Sequence, residues 1–146
     1  MSKNLYFVVL AAIISLSSCN NYSKILKTVD FNYKYEAAKE YFAQGQYNRS
    51  SQLLQTMIVT LKGTEKGQES LFLFGLCNYH SGNYETASSI FRKYYQTYPK
   101  GVYTEEAHFY CALSLMEEVP EVRLDQTPTY EAITEFQNFI ERYPYS

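Results

Sequence analysis

What most constrains this chain is that it repeats itself. Aligning residues 41–54 (YFAQGQYNRSSQLL) with 78–91 (NYHSGNYETASSIF) brings Gly45 onto Gly82 and Tyr47 onto Tyr84, an offset of 37 residues. The same step carries Ser50 to Ala87 and Leu54 to Phe91, and it relates Ala38, Gly75 and Ala112 to one another. Residues 72–79 overlay 109–116 at that offset. The second half of the unit recurs once more, 83–99 onto 128–144, pairing Ala87 with Ala132, Phe91 with Phe136, Tyr94 with Phe139 and Tyr98-Pro99 with Tyr143-Pro144, now at an offset of 45. A chain of 146 residues organised in this way is an array of small units, each burying one face against its neighbour.

Periodicity makes each half-unit a helix. Phe72, Leu76 and Tyr79, and then Ala87, Phe91, Tyr94 and Tyr98, follow the three-and-four spacing of one helical face. Gly45 and Gly82 stand where the first helix of a unit must end, because glycine enters the left-handed cap without a Cβ clash. Pro99 and Pro144 close the second helix, since proline disfavours helical backbone in the residue before it. Small residues at Ser50, Ala87 and Ala132 let the two helices of a unit approach closely.

This helix–turn–helix pattern resembles the tetratricopeptide (TPR) repeat, with its small residue at position 8, Gly at 15, Tyr at 17, Ala at 20, an aromatic at 24 and Pro at 32. The expected fold is therefore all-α, a TPR superhelix of about three repeats over 31–146, divided at about 31–64, 68–101 and 105–144. Repeat two matches best, through Gly75, Gly82, Tyr84, Ala87, Phe91 and Pro99. Repeat one matches at Ala38, Tyr41, Gly45, Tyr47, Ser50 and Leu54 but has Lys62 where proline is expected. Repeat three carries an eight-residue insertion within 117–129.

Ahead of the array stands a targeting segment. One lysine and no acid precede a twelve-residue apolar stretch, 5–16. Twelve residues of helix span about 18 Å, short of the ~30 Å hydrocarbon core, so a secretory signal fits better than a membrane span. Leu16-Ser17-Ser18-Cys19 resembles the lipobox of bacterial lipoproteins. The resemblance implies a signal peptide over 1–18, cleavage before Cys19, and a mature N-terminal cysteine carrying diacylglycerol on sulfur and an acyl chain on nitrogen. Several chains anchor stably where one is marginal. Asn20, in place of the Asp that retains some lipoproteins in the inner membrane, and the lack of an acidic run after Cys19 favour the periplasmic face of the outer membrane. Residues 19–30 are expected to form a short polar tether, with Ile25 and Leu26 able to dock on the first helix. No other cofactor is expected. Two Asn-x-Ser matches, at Asn21 and Asn48, are chance in a bacterial lipoprotein.

A lipobox followed closely by TPRs, the segments QTYPKGVYTEEAHFYCALS (96–114) and ERYPYS (141–146), and LDQTPTYEAITEFQNFIERYP (124–144) resemble the BamD family of outer-membrane β-barrel assembly lipoproteins. The likeness runs through 19–146. It implies a non-catalytic periplasmic scaffold whose partners are a BamA-like barrel assembly protein and unfolded outer-membrane proteins. That family usually has about five repeats, and its BamA contact lies largely beyond the third, so a truncated chain or a partner over the array's end is expected. A generic TPR lipoprotein scaffolding a cell-envelope or division complex is the alternative.

The concave face of such an array is lined by first-helix positions. Position 5 holds Tyr35, Phe72 and Phe109, position 12 holds Phe42, Tyr79 and Met116, and position 9 holds Lys39, Leu76 and Leu113. These apolar and aromatic side chains suit an extended, aromatic-rich peptide such as the β-signal of an unfolded barrel protein. Packing of the first helices against one another is the competing reading.

Composition excludes more than it assigns. With 13 basic and 15 acidic residues the chain has no electrostatic footprint for nucleic acid. Two histidines and three cysteines, none in a C-x-x-C or H-x-x-H arrangement, leave little for a metal site. Cys77 and Cys111 come from first helices of adjacent repeats and are expected as buried free thiols, with a disulfide, which the periplasm permits, as the alternative. Neither His80 nor His108 has a nucleophile or carboxylate partner recognisable from the sequence. Glu105-Glu106 and Glu117-Glu118 read as a helix start and a solvated helix end. No enzyme is expected.

Overall fold

A computed structural model describes residues 21–118 and 125–146. The expected signal peptide (1–18), Cys19 and the centre of the repeat-three insertion lie outside the described residues. Within them the chain is all-α. A short helix α1 (21–27) precedes α2 (Phe31–Ala43), α3 (Tyr47–Gln55), α4 (Glu65–His80), α5 (Tyr84–Thr97), α6 (Thr104–Glu117) and α7 (Thr127–Arg142). Successive helices pack on one another, and α2 also meets α4, so α2/α3, α4/α5 and α6/α7 form three stacked helix–turn–helix pairs of the TPR kind.

The pair boundaries follow local chemistry. Gly45 and Gly82 adopt φ of 71° and 76°, the left-handed region that ends α2 and α4. Tyr98 and Tyr143, each before proline, leave the helix in the same way, at φ −125°, ψ 67° and φ −127°, ψ 64°. Asp30 opens α2 by accepting from the backbone N–H groups of Asn32 and Tyr33, both at 3.0 Å.

Repeat one departs from the pattern. With Lys62 at the proline position, α3 stops at Gln55 and the chain runs on as turns through 56–63, ending at Gly63 with φ 86°. Thr56, Ile58, Val59 and Thr60 are β-branched and disfavour continued helix. These turns press onto α4 so closely that a Cβ at Gly67 would stand 1.9 Å from the Leu61 carbonyl oxygen. Residues 21–27 of the expected tether are likewise helical and docked, with Ile25 buried in the first core cluster.

Small residues set the spacing inside each pair. Ser50, Ala87 and Ala132 are buried, and Ser50 Oγ donates to the Ala38 carbonyl at 2.8 Å. Gly75 admits the Phe91 ring, which would lie 2.6 Å from an added Cβ. Around these contacts sit two clusters, Tyr35, Leu53, Leu54 and Met57 in the first repeat, and Phe72, Phe91, Tyr94 and Leu115 between the second and third. Full burial of such a side chain stabilises by about 1.5–3 kcal/mol.

Candidate functional site: the aromatic ladder of the first helices

Positions 5, 9 and 12 lie on α2, α4 and α6 as the repeat register requires, and the fold divides them into closed and open rungs. Tyr35 and Phe72 are closed, at 4% and 7% exposure. The Tyr35 hydroxyl donates to Glu69, and Lys39 and Lys66 place ammonium groups 5.1 and 5.3 Å from its ring centre. Lys39 also pairs with Glu69 at 3.3 Å. Burial, then the bond to Glu69, raises the Tyr35 pKa, so the phenol stays protonated. Phe72 is stacked on Tyr103 (4.6 Å, 4°) and ringed by Phe91, Tyr94 and Tyr110. The expectation that these two rings line an open groove therefore needs correcting: their faces are occupied by neighbouring repeats. Sequence periodicity marks an apolar stripe but not what covers it.

The other rungs are more accessible. Phe42, Leu76, Tyr79 and Leu113 are half-buried, while Phe109 and Met116 are 39% and 46% exposed. Phe42 meets Tyr47 at 5.5 Å and His80 at 6.1 Å. Tyr79 meets Tyr84 and Tyr110, each at 5.5 Å. Phe109 reaches Phe139 at 5.7 Å and forms the floor of a cleft of about 700 Å³ between α6 and α7, with Ile140 and Tyr143 beside it and Glu105 and Glu106 at its rim. The α7 wall of this cleft was not foreseen from the sequence. The Phe91/Phe136 and Tyr94/Phe139 equivalences hinted at it, since residues covered in one repeat are candidates for exposure where the neighbour differs.

A partly buried polar cluster also went unpredicted. The rings of Tyr95 and His108 stack at 3.7 Å and 8°, Tyr95 Oη donates to Glu135 Oε1 at 2.5 Å, and Arg142 Nη1 lies 3.2 Å from His108 Nε2. Burial, reinforced by the Arg142 charge, holds His108 below its ordinary pKa and so neutral. Cys111 donates to the Ser88 carbonyl at 3.4 Å, and burial, with Glu135 nearby, pushes its thiol up to about 12. Cys77 is pushed to about 11 by burial. Both are free, buried and un-ionised, the opposite of what a nucleophilic cysteine needs. His80 ends α4 and stacks on Tyr47 at 4.8 Å. Glu105 and Glu106 occupy the first turn of α6, and Glu117 and Glu118 its end. Among the described residues no group of three His, Cys, Asp or Glu side chains could hold a metal ion.

The arrangement is a stack of helix pairs whose first helices carry partly accessible apolar rungs. The family model YfiO, described as outer membrane lipoprotein, matches residues 28–146, which takes in all three helix pairs. The chain belongs to the YfiO family. Comparison with curated proteins found no match. Membership in a family of that description associates the chain with the outer membrane. The YfiO match begins at Thr28, so the docked helix α1 lies outside it. No helix among the described residues is long and apolar enough to cross a membrane.

Proposed function

We propose that this protein is a non-catalytic scaffold of the β-barrel assembly machinery, held at the periplasmic face of the outer membrane by acyl chains on Cys19. Its partners in this reading are unfolded outer-membrane proteins and a BamA-like barrel assembly protein. Membership in the outer membrane lipoprotein family across all three helix pairs carries the proposal. The lipobox at Cys19 and the TPR-type concave face support it. With Tyr35 and Phe72 closed, the peptide-binding surface narrows to the accessible rungs Phe42, Leu76, Tyr79, Phe109, Leu113 and Met116. Aromatic and thioether side chains there give contact area for little conformational entropy, and they suit an extended peptide with alternating aromatic residues.

Photo-crosslinking tests the reading. A photoreactive residue at Met116 or Phe109 is expected to trap unfolded outer-membrane proteins in the cell, and the solubilised chain to co-purify with a BamA-like barrel protein. Recovery of cell-division or envelope-remodelling proteins instead would replace this reading with a generic envelope scaffold. Cys19→Ala is expected to release the chain from the membrane fraction, read by fractionation and intact mass.

A further inference from the structure

α1 is clamped to the array from one side. Tyr22 Oη shares its one proton between the Arg49 carbonyl at 3.1 Å and Gln52 Oε1 at 2.9 Å, its ring meets Tyr41 edge-on at 5.4 Å, and the Arg49 guanidinium lies 5.3 Å from its centre. Ile25 is 5% exposed, and Leu26 packs against the same cluster. At about 100° per residue, Tyr22, Ile25 and Leu26 share one face of the helix. Lys24 and Lys27 fall on the opposite face, and both are exposed. Val29, 87% exposed, follows in the turn that Thr28 N–H fixes by donating to the Lys24 and Ile25 carbonyls. The acids near α1, Glu36 and Glu40, line the neighbouring cleft with Asn21 and Ile25. Lys24 and Lys27 therefore put positive charge on the free face, whereas at the docked face the acids Glu36 and Glu40 stand with Arg49.

The chain that leads to this helix is short. Cys19 stands two residues before Asn21, and two extended residues span at most about 7 Å. A cysteine anchored at the bilayer surface would hold the start of α1 within about 7 Å of it, and the face carrying Lys24 and Lys27 is the one the array leaves uncovered.

We propose that α1 is a membrane-seating element, laying Lys24, Lys27 and Val29 on anionic phospholipid beside Cys19 and so fixing the orientation of the whole array on the bilayer. The inference rests on the reading that Cys19 is acylated. Its chemistry is ordinary: ammonium groups meet lipid phosphates, and a small apolar side chain enters the headgroup boundary. A free tether would leave orientation open, whereas a helix locked to α2 and α3 transmits it to all three repeats.

The test uses the full chain, processed and acylated in a Gram-negative host and reconstituted into vesicles of phosphatidylethanolamine and phosphatidylglycerol. A nitroxide is placed at Val29→Cys, or at Val59→Cys or Val102→Cys, positions 83% and 82% exposed on the array. Cys77 and Cys111 are buried and stay unlabelled in the folded protein. The label at position 29 is expected to be shielded from a water-soluble relaxation agent, and those at 59 and 102 are not. Lys24→Gln and Lys27→Gln should each lower the ratio of shielded to unshielded label about five-fold, with the chain still floating on vesicles. Full access at position 29 in acylated, vesicle-bound protein would overturn the seating and leave the lipoprotein reading standing. Shielding that survives both lysine changes would overturn it as well. An intact mass without acyl chains would overturn the lipoprotein reading and this inference together.

Discussion

Residues 87–97 of α5 and 132–142 of α7 align position for position, yet Phe91 and Tyr94 are fully buried while Phe136 and Phe139 are half-buried. The difference lies in the neighbours. α5 is held between α4 and α6, whereas α7, among the described residues, packs on α6. Tyr130, Ile133 and Ile140 on α7 are accordingly 70%, 49% and 65% exposed. Equivalent helical faces thus serve as closed core in one repeat and as a partly open face in the next, and a side chain's role is set by what is stacked upon it. The same contrast divides the first-helix rungs. Phe72 is capped by Tyr103, and Phe109, its equivalent, opens into the α6/α7 cleft.

The largest test of this contrast is a matched pair. Phe91→Ala is expected to cost about 3–5 kcal/mol in urea unfolding, and Phe72→Ala a comparable amount, as cavity-forming changes in a closed core. Phe136→Ala should cost less, about 1–2 kcal/mol, because the ring is only partly buried and leaves no closed cavity. Equal losses at 91 and 136 would abolish the distinction between the two helices. Next comes Gly75→Ala, whose Cβ meets the Phe91 ring and should cost about 1–3 kcal/mol despite the better helix propensity of alanine. A neutral result would show that the α4/α5 pair is looser than its spacing implies.

A smaller effect is expected at the repeat turn. Gly82→Ala forces a Cβ into the left-handed region at φ 76° and should lower stability by about 1–2 kcal/mol, read from the thermal midpoint. Nothing stands within 4 Å of the added Cβ, so the loss measures backbone strain alone. The smallest effect concerns pH and falls on the α6/α7 pair. His108 has its pKa held below the ordinary 6.5 in the folded chain, so the unfolded chain takes up the proton first as pH falls. The stability it supports is present above pH 6.5 and is lost as the pH drops through its depressed value. Hydrogen exchange of α7 amides should quicken in that window, with α2–α4 unaffected, and His108→Gln should flatten the response.

Much of the fold was legible because it is local. The left-handed glycines at 45 and 82, the Tyr-Pro helix ends at 98–99 and 143–144, and the small residues at 50, 87 and 132 act within a turn or across one helix pair. The early end of α3 was less so, because a missing proline says where a stop is absent and not where β-branched residues and Gly63 will replace it. The abundance of tyrosine also gains a cause. Tyr22 donates to a carbonyl, while Tyr94 and Tyr98 accept from the backbone N–H groups of Tyr103 and Gly63, so these rings fill the core and pin the loops between repeats.

By itself the sequence determined the unit, its number, its turns and the stripe of each helix that must be apolar, because these depend on dihedral preference and helical period. Only the tertiary structure decided which stripes are closed. Tyr35 disappears beneath Lys39, Lys66 and Glu69, Phe72 disappears beneath Tyr103, and the apparent tether of 21–27 becomes a docked helix. The physical reason is that water is excluded from a side chain by its neighbours in space, and in a repeat array those neighbours come from the next unit.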